Sequence, residues 1–438
     1  MYIVDSALPC LCFGTVIMSQ PSSHMQDLSQ QISAATSILT NFLVSNGLPE
    51  PSHGADAPLD APSMPEDVQV ARRNLREAAQ ELYILATYPS EYLRWLACNY
   101  HDCSSLRWIY HFKIASFVPL EDARTFSDVA KDAGVDEGHL RRMLREAMTN
   151  RIFCEPRAGF VAHTAASSAL VRDKGTLNWV GYTLEDSFPA SAKVVEATKA
   201  FGASEEKNHS GWNLAFNTEL PIFQYLSNHP ERAGRFAETM TALTSTDGYH
   251  ARHLVDGYPW GELPPGTVVD VGGSVGHMSI ALAEKYPKLN YVVQDLPDIV
   301  AAGQRALPSH LTDRVSFQSH DFFTPQPVQA DVYLLRFILH DYSDTHATLI
   351  LKNLLPALKP TSKLLIMDGV LPEPGSMPRS QERQIRVMDL EMLTNFNAKE
   401  REIGDWQSLL EAADPRLKVA KVIKPPGSVN SIIEAVLE

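Results

Sequence analysis

The sequence predicts an α/β fold with a doubly wound, mainly parallel sheet, preceded by an all-helical region that includes a winged-helix unit. Three observations lead there. From Thr267 onward, short apolar strand candidates alternate with helical segments. The first of those strands runs into a glycine-rich turn and then a helix. Upstream, a helix–helix–turn–helix–hairpin pattern follows a set of amphipathic helices.

Composition sets the limits. With 438 residues, two or three domains are expected, and 44% hydrophobic with 21% charged residues is the balance of a folded globular protein. The net charge of −14 argues against a general nucleic-acid binder, which meets phosphates with basic surface, although it leaves room for a local basic patch. The cysteines, Cys10, Cys12, Cys98, Cys103 and Cys154, are odd in number and have no zinc spacing. They read as reduced thiols, so a cytoplasmic location is expected and no metal is implied. The apolar run from Ala7 to Met18 follows Asp5 and lacks a basic flank, so it reads as a tail rather than a signal peptide. Nothing approaches the roughly 20 apolar residues of a membrane span.

In chain order, Met25 to Asn46 is expected to be helical, with Leu28, Ile32, Ile38, Leu39 and Phe42 on its apolar rhythm. Leu48 to Pro65 is rich in Pro, Ala, Asp and Ser and reads as a linker. Glu66 to Asn99 should form helices broken near Pro89, whose Leu75, Leu82, Leu85, Leu93 and Trp95 need a partner surface. Helices are then expected over 106–117, 125–133 and 137–149, the last capped by Asp136, followed by a hairpin from Ile152 to His163. That is the winged-helix pattern. Arg141, Arg142 and Arg145 on its third helix suggest DNA contact, but the acidic chain favours a packing or dimerisation module with a solvated basic face.

Gly175 to Tyr249 is expected to be mostly helical, with an aromatic and amide-rich loop from Trp212 to Asn217 that suits either a flat ligand or core packing. Strand candidates follow at 267–271, 291–294, 315–318, 332–335, 363–367, 418–423 and 431–436. The expected domains are 1–65 (tail, helix and linker), 66–175 (helical and winged-helix), 176–255 (helical) and 256–438 (the sheet).

Ligands of such sheets bind at the carboxyl ends of the strands, where Asp270, Asp295, His320, Asp321, Arg336 and Asp368 all fall. In Val268-Val269-Asp270-Val271-Gly272-Gly273-Ser274-Val275-Gly276, the glycines let a backbone approach a ligand closely. Val271 stands where a dinucleotide motif has its first glycine, and Asp270 would repel a pyrophosphate. A cationic cofactor such as S-adenosylmethionine suits Asp270 better. Asp295 can accept the hydroxyls of a ribose. Asp321 beside Phe322 can read an adenine edge, or simply cap its loop.

His340 follows the fourth strand. A histidine in an apolar run is more often structural, but an imidazole titrating near neutrality can also take a proton from a hydroxyl. Asp368 ends the adjacent strand, and Glu400 lies at a polar loop-to-helix junction. Two carboxylates could bracket the ring and fix its tautomer.

Taken together, VVDVGGSVGH, YVVQDLP, ADVYLLRFILHDYSD and NAKERE carry a resemblance to a known family. The chain resembles the S-adenosylmethionine-dependent O-methyltransferases of the plant caffeate and flavonoid type. It is more similar still to fungal relatives, such as the sterigmatocystin-type enzymes, that methylate phenols of aromatic polyketides. The resemblance spans roughly Leu106 to Glu438. It implies a Rossmann-like sheet, S-adenosylmethionine as cofactor, a phenolic small-molecule substrate and a homodimer joined through the winged-helix region. No nucleic-acid or membrane partner is expected. The family's base falls on His340 and its bracketing acids on Asp368 and Glu400. Its cofactor positions fall on Asp270, Gly272, Gly273, Gly276, Asp295, Leu296, Asp321, Phe322 and Arg336. Trp212, Phe216, Met392 and Phe396 are the candidate pocket walls.

The departures are Ser274 for a glycine, Tyr342 for tryptophan, Asp368 for a longer glutamate, and Asn397-Ala398 for a glycine pair. The shorter Asp368 shifts orientation of His340 toward Glu400. Two other classes remain open: a nicotinamide-dependent oxidoreductase, disfavoured by the glycine spacing and Asp270, and a catalytically idle partner or regulator, disfavoured by intact His340, Asp295 and Glu400.

Overall fold

The computed structural model describes residues 24–438; the tail with Ala7 to Met18, Cys10 and Cys12 lies outside the described residues. The chain divides into two compact units. One comprises the residues up to Ser52 with Ala57–His101, the other His53–Asp56 with Asp102–Glu438.

In the first unit, the helices His24–Ser45 and Glu66–Thr87 pack on each other through Leu28, Ala35, Leu43, Val68, Ala71 and Ala78. Tyr88 at φ 60 ends the second, and Pro89 opens a short helix, Pro89–Leu96. This is the break expected at Pro89. Tyr83, Tyr88, Leu93, Trp95 and Leu96 remain exposed in the chain by itself. No helix among the described residues is long and apolar enough to cross a membrane.

The second unit opens with the winged-helix module. Ile109, Phe126, Val129, Leu140, Leu144, Phe153 and Val161 form its core. Asp136 caps the helix Glu137–Thr149 by accepting the His139 amide at 2.8 Å, the cap anticipated from sequence. The hairpin strands Cys154–Arg157 and Phe160–Ala162 gain a third, Arg124–Thr125, which is too short for periodicity to reveal. Arg141 and Arg145 are already engaged. They bond Glu137 and Glu155, and both guanidinium groups lie over the Phe126 ring.

All seven sheet strands form where the apolar runs placed them. They are β1 (Gly266–Val271), β2 (Leu289–Asp295), β3 (Val315–Ser319), β4 (Ala330–Arg336), β5 (Leu358–Asp368), β6 (Leu417–Ile423) and β7 (Ser431–Leu437). Their spatial order is β3-β2-β1-β4-β5-β7-β6, with β7 antiparallel to both neighbours and the others parallel. Buried on both faces, β1 and β4 need near-continuous apolar sequence. Val269, Val271, Tyr333 and Leu335 pack under helices that carry Ile350, Leu351, Trp406 and Leu410. Their alternates, Val268, Val332 and Leu334, pack with Trp260, Met278 and Leu282 on the other face. The order reverses beside β1 and β4, so the carboxyl ends of those two strands frame a crevice.

Two elements differ from expectation. The helix expected over 106–117 is two, Tyr100–His111 and Ile114–Phe117, parted at Lys113, which takes φ 54. Trp212 to Phe216 is not a loop but the helix Gly211–Phe216, started by Ser210 accepting the Asn213 amide and ended by Asn217 at φ 48. Two amide side chains and a serine are cap residues as often as loop residues, and here the caps prevail.

Candidate functional site

The turn after β1 is a close-fitting cradle. Gly272 and Gly276 take φ of 70° and 81°, and a Cβ on Gly273 would stand 2.6 Å from the Asp270 carboxyl carbon. Ser274 also adopts positive φ, 54°, so the serine that replaces a glycine keeps a glycine's conformation. Its amide explains how: it donates to Asp295 Oδ2 at 2.8 Å, while the Leu296 amide donates to Oδ1 at 2.7 Å. Asp295 is thus fixed by two amides, yet each oxygen keeps a lone pair for an incoming hydroxyl. Leu296 stands exposed beside it.

Asp270 departs from its expected place. Its side chain does not stand at the mouth of the turn but behind it, 2% exposed, with Ser279 Oγ donating to Oδ2 at 2.7 Å. Burial pushes its pKa up to about 6 despite that bond. The strand's alternation turns it inward, where it supports the turn through Gly273 and Ser279. The Arg336 guanidinium lies within electrostatic reach of Asp270 and Asp368, and its Nη2 donates to the Tyr249 carbonyl at 2.8 Å. Burial lowers its pKa to about 10, and its Nε has no partner.

Asp321 is exposed and accepts the Phe323 amide at 2.9 Å, which is the loop-capping alternative. Phe322 packs toward Gly272, and Phe322, Phe323 and Tyr342 meet as an aromatic cluster. Lys207, which sequence reasoning missed, sits 3.5 Å over the Phe323 ring. Its loop is tied down by Asn397, whose side chain donates to the carbonyls of Ser204 and Glu206 while its backbone takes φ 52. Asn397 therefore fills the glycine's conformation and adds a tether.

The catalytic candidates converge just past β4. Phe337 adopts φ 56, and its amide donates to Asp368 Oδ1 at 2.7 Å. Next comes the turn Leu339–Asp341, which carries His340, 7% exposed. His340 Nδ1 donates to Glu400 Oε1 at 2.8 Å. Asp368 bonds the backbone of the turn rather than the ring, so orientation of His340 rests on Glu400, as the shorter acid implied. A side chain on Gly369 would overlap the Glu400 carboxylate, and the Glu400 amide is held by Asp389 Oδ1 at 2.9 Å.

Two further residues were not singled out from sequence. Asp341 Oδ1 lies 3.5 Å from His340 Nε2. Arg401 is 0% exposed and clamps the turn, donating to the carbonyls of Leu339 and Tyr342 at 2.9 and 2.8 Å and to Asp344. Both sit inside motifs already quoted, the pair His340-Asp341 and NAKERE. Adjacency is the signal for Asp341; only the fold could reveal Arg401.

Electrostatics follow from this packing. Burial alone would lower the His340 pKa, but Glu400, Asp341 and Asp368 outweigh it and push it up to about 10. Burial raises Asp341 to about 7, with His340 pulling the other way. Glu400 Oε2 and Asp368 Oδ2 are buried without partners.

The four candidate pocket residues do come together. Trp212, Met392 and Phe396 belong to one apolar cluster, with Phe216 packed against it and its ring 4.3 Å from that of Trp212. Trp212 is fully buried, so it backs the wall rather than forming its surface.

The cofactor implied by the sequence resemblance fits these residues. The glycine cradle leaves no room for side chains where a ligand must approach, Asp295 retains acceptor capacity, and Arg336 keeps an unpartnered donor.

Comparison with known proteins agrees. A family profile described as an O-methyltransferase domain matches residues 199–414. The O-methyltransferase pgmB of Aspergillus terreus is 43% identical, over 94% of this chain and 96% of that protein. The chlorophenol O-methyltransferase of Trichoderma longibrachiatum is 38% identical, over 94% and 90%. Among solved structures, OxaC in complex with SAH and oxaline superimposes with a TM-score of 0.74 at 22% identity, over 95% of this chain and all of that one. By the extent and degree of these matches, the chain belongs to the O-methyltransferase family.

Proposed function

We propose that the protein transfers the methyl group of S-adenosylmethionine to a phenolic hydroxyl of an aromatic, polyketide-derived secondary metabolite, with His340 as general base. The observation that carries this reading is the buried His340–Glu400 hydrogen bond at the carboxyl end of the sheet, beside the glycine cradle. The chlorophenol-directed relative supports a phenolic acceptor.

A phenol is a poor nucleophile until its proton, with a pKa near 10, is removed. Glu400 holds Nδ1 protonated, so the lone pair of Nε2 is the one that accepts. S-Adenosylmethionine, held by the cradle, Asp295, Leu296, Phe322 and Arg336, supplies an electrophilic methyl and a positive charge that favours the neutral imidazole. Arg401 and Asp368 hold the His340 turn rigid, and such positioning supplies several kcal/mol of a barrier. Glu400 then stabilises the imidazolium as the phenol proton arrives. Phe216, Met392 and Phe396, backed by Trp212, wall the acceptor ring and exclude water.

The chain functions in the cytoplasm as a homodimer. Exposed Tyr88 and Leu93 line, with Ile84 and Leu85, an apolar groove of about 480 Å³ in the first unit; a second copy of the chain is its proposed occupant.

The test is methyl transfer from labelled S-adenosylmethionine to a panel of phenols and naphthols. Wild type should methylate at least one. His340→Ala should not, while S-adenosylhomocysteine still raises its Tm by mass action. Transfer by His340→Ala at the wild-type rate would remove His340 as the base.

A further inference from the structure

A loop of the helical lobe reaches across to the sheet and is tied down there on several sides. It runs from Gly202 to His209, between the helices Val194–Phe201 and Gly211–Phe216. Asn397 donates to the carbonyls of Ser204 and Glu206 at 2.7 and 3.0 Å. On the other flank the loop meets the start of the helix Asp344–Leu354. Ser343, at the N-cap, makes no cap bond to its own helix and donates its hydroxyl to the Glu205 carbonyl at 3.0 Å. Glu205 Oε2 accepts the Thr345 amide at 2.8 Å instead, so the loop supplies the cap that Ser343 does not. At its base the Phe201 and His209 rings stack 4.3 Å apart, and Ser204 Oγ meets His209 Nδ1 at 2.6 Å. A segment held in this way is a strap rather than a loose connection.

The strap delivers one charged side chain to the cofactor side of the site. Lys207 Nζ lies 3.5 Å from the centre of the Phe323 ring and 4.9 Å from that of Tyr342. Among the described residues this half-buried ammonium has no hydrogen bond and no salt bridge. Burial lowers its pKa, and nearby Asp321 and Glu206 oppose that. An ammonium carries three donors and is strongly hydrated. Ring faces offset only part of what it loses on leaving water, so an acceptor is missing.

The neighbours indicate which acceptor. Phe323 and Tyr342 cluster with Phe322, whose ring would stand 3.6 Å from a Cβ on Gly272 in the cradle. Tyr342 is within electrostatic reach of Asp295 and Asp321. The strap therefore crosses where the cradle, the ribose acid and the adenine-side loop meet. Adenine carries ring nitrogens that accept hydrogen bonds.

We propose that Lys207 is a cofactor-binding residue contributed by the helical lobe. Its ammonium bonds an acceptor of the adenosyl group, and the strap covers that end of the cofactor, which leaves when the strap opens. The inference rests on the proposed placement of the cofactor along Asp295, Asp321 and Phe322. The adenosyl group is the same before and after methyl transfer, so this contact governs binding and exchange rather than the chemical step.

The experiment measures association and dissociation of S-adenosylhomocysteine on the immobilised full-length protein by surface plasmon resonance. Lys207→Met keeps the length and ring contact of the side chain and removes its charge. Its dissociation should be at least tenfold faster than wild type, with association no slower, and Lys207→Arg should stay within threefold of wild type. Glu205→Ala, which unties the strap from the helix Asp344–Leu354, should speed dissociation at least threefold. An unchanged Tm without ligand shows that each variant is folded. A change below threefold in Lys207→Met overturns the proposal. So does a loss that Lys207→Arg does not reverse, one that comes from slower association, or unchanged dissociation in Glu205→Ala. Asp295→Ala tests the placement of the cofactor separately. Wild-type affinity there removes that placement and the strap's role with it, whereas weak binding there with an unaltered Lys207→Met removes the strap's role alone.

Discussion

The cofactor cradle and the His340 turn lie at neighbouring strand ends, yet they are built in opposite ways. The cradle is one short segment, Asp270 to Gly276, supported mainly by backbone amides and by Asp295 at the end of the next strand. The His340 turn is held by side chains from Asp368, Glu400 and Arg401, and Glu400 lies 60 residues away from His340 in sequence. Binding geometry here comes from the absence of side chains, and proton-transfer geometry from their presence. The first leaves no room for a side chain at Gly272, Gly273 or Gly276; the second is held by side chains from other segments.

Substitutions can separate the two. The largest effect is expected for His340→Ala: turnover should fall by about 10²–10⁴ while affinity for S-adenosylhomocysteine is kept, because a positioned base contributes about that much. Loss of affinity along with turnover would show that the two regions are one structural unit. Arg401→Ala comes next. Its ionic partner Asp344 is 43% exposed and keeps Lys399, so the loss falls on the carbonyls of Leu339 and Tyr342, left without their donor at a cost of about 1–3 kcal/mol that a lowered denaturation midpoint would report. An unchanged midpoint would mean that the turn holds without its clamp. Gly273→Ala should act on the cradle alone. The added methyl meets the Asp270 carboxyl, so cofactor affinity should drop about tenfold or more, a loss of at least ~1.4 kcal/mol. Titration of S-adenosylhomocysteine checks it.

Glu400→Gln is a subtler probe, because it alters charge and keeps shape. Wild-type His340, raised to about 10, is protonated at neutral pH, so the acid limb of kcat/KM should lie above the ordinary histidine value. The variant should bring that limb down. The same shift bears on stability. A raised histidine pKa contributes stability that is full below about pH 6.5 and is lost as pH rises through the folded value. Tm measured from pH 6 to 10 should therefore decline less in Glu400→Gln than in wild type. Equal declines would show that Glu400 does not set the charge of the ring. The smallest effect is expected for Ser274→Gly, which relieves a positive φ but loosens the unfolded chain, a net change within about 1 kcal/mol.

The cradle was legible because a strand, a turn and a helix leave a contiguous pattern of apolar, acidic and glycine residues. All seven strands were legible for the same reason. Even there, sequence misplaced the Asp270 side chain, since the residue before a turn can face either side until the neighbouring strand settles the alternation. Trp212 to Phe216 was misread because its polar residues serve caps as readily as loops.

What the sequence by itself determined is the set of local facts: a mainly parallel sheet, its glycine turn, the winged-helix order, and a histidine just past the fourth strand. Each depends on residues a few positions apart, where period and turn chemistry act directly. The shorter Asp368 already pointed to Glu400 as the residue that orients His340; only the tertiary structure decided that Asp368 bonds the backbone of the turn instead, that Arg401 clamps that turn, and that Asn397 tethers the loop of Lys207. Those contacts form when distant segments pack, and no spacing along the chain records which side chains the closure of long loops will bring face to face.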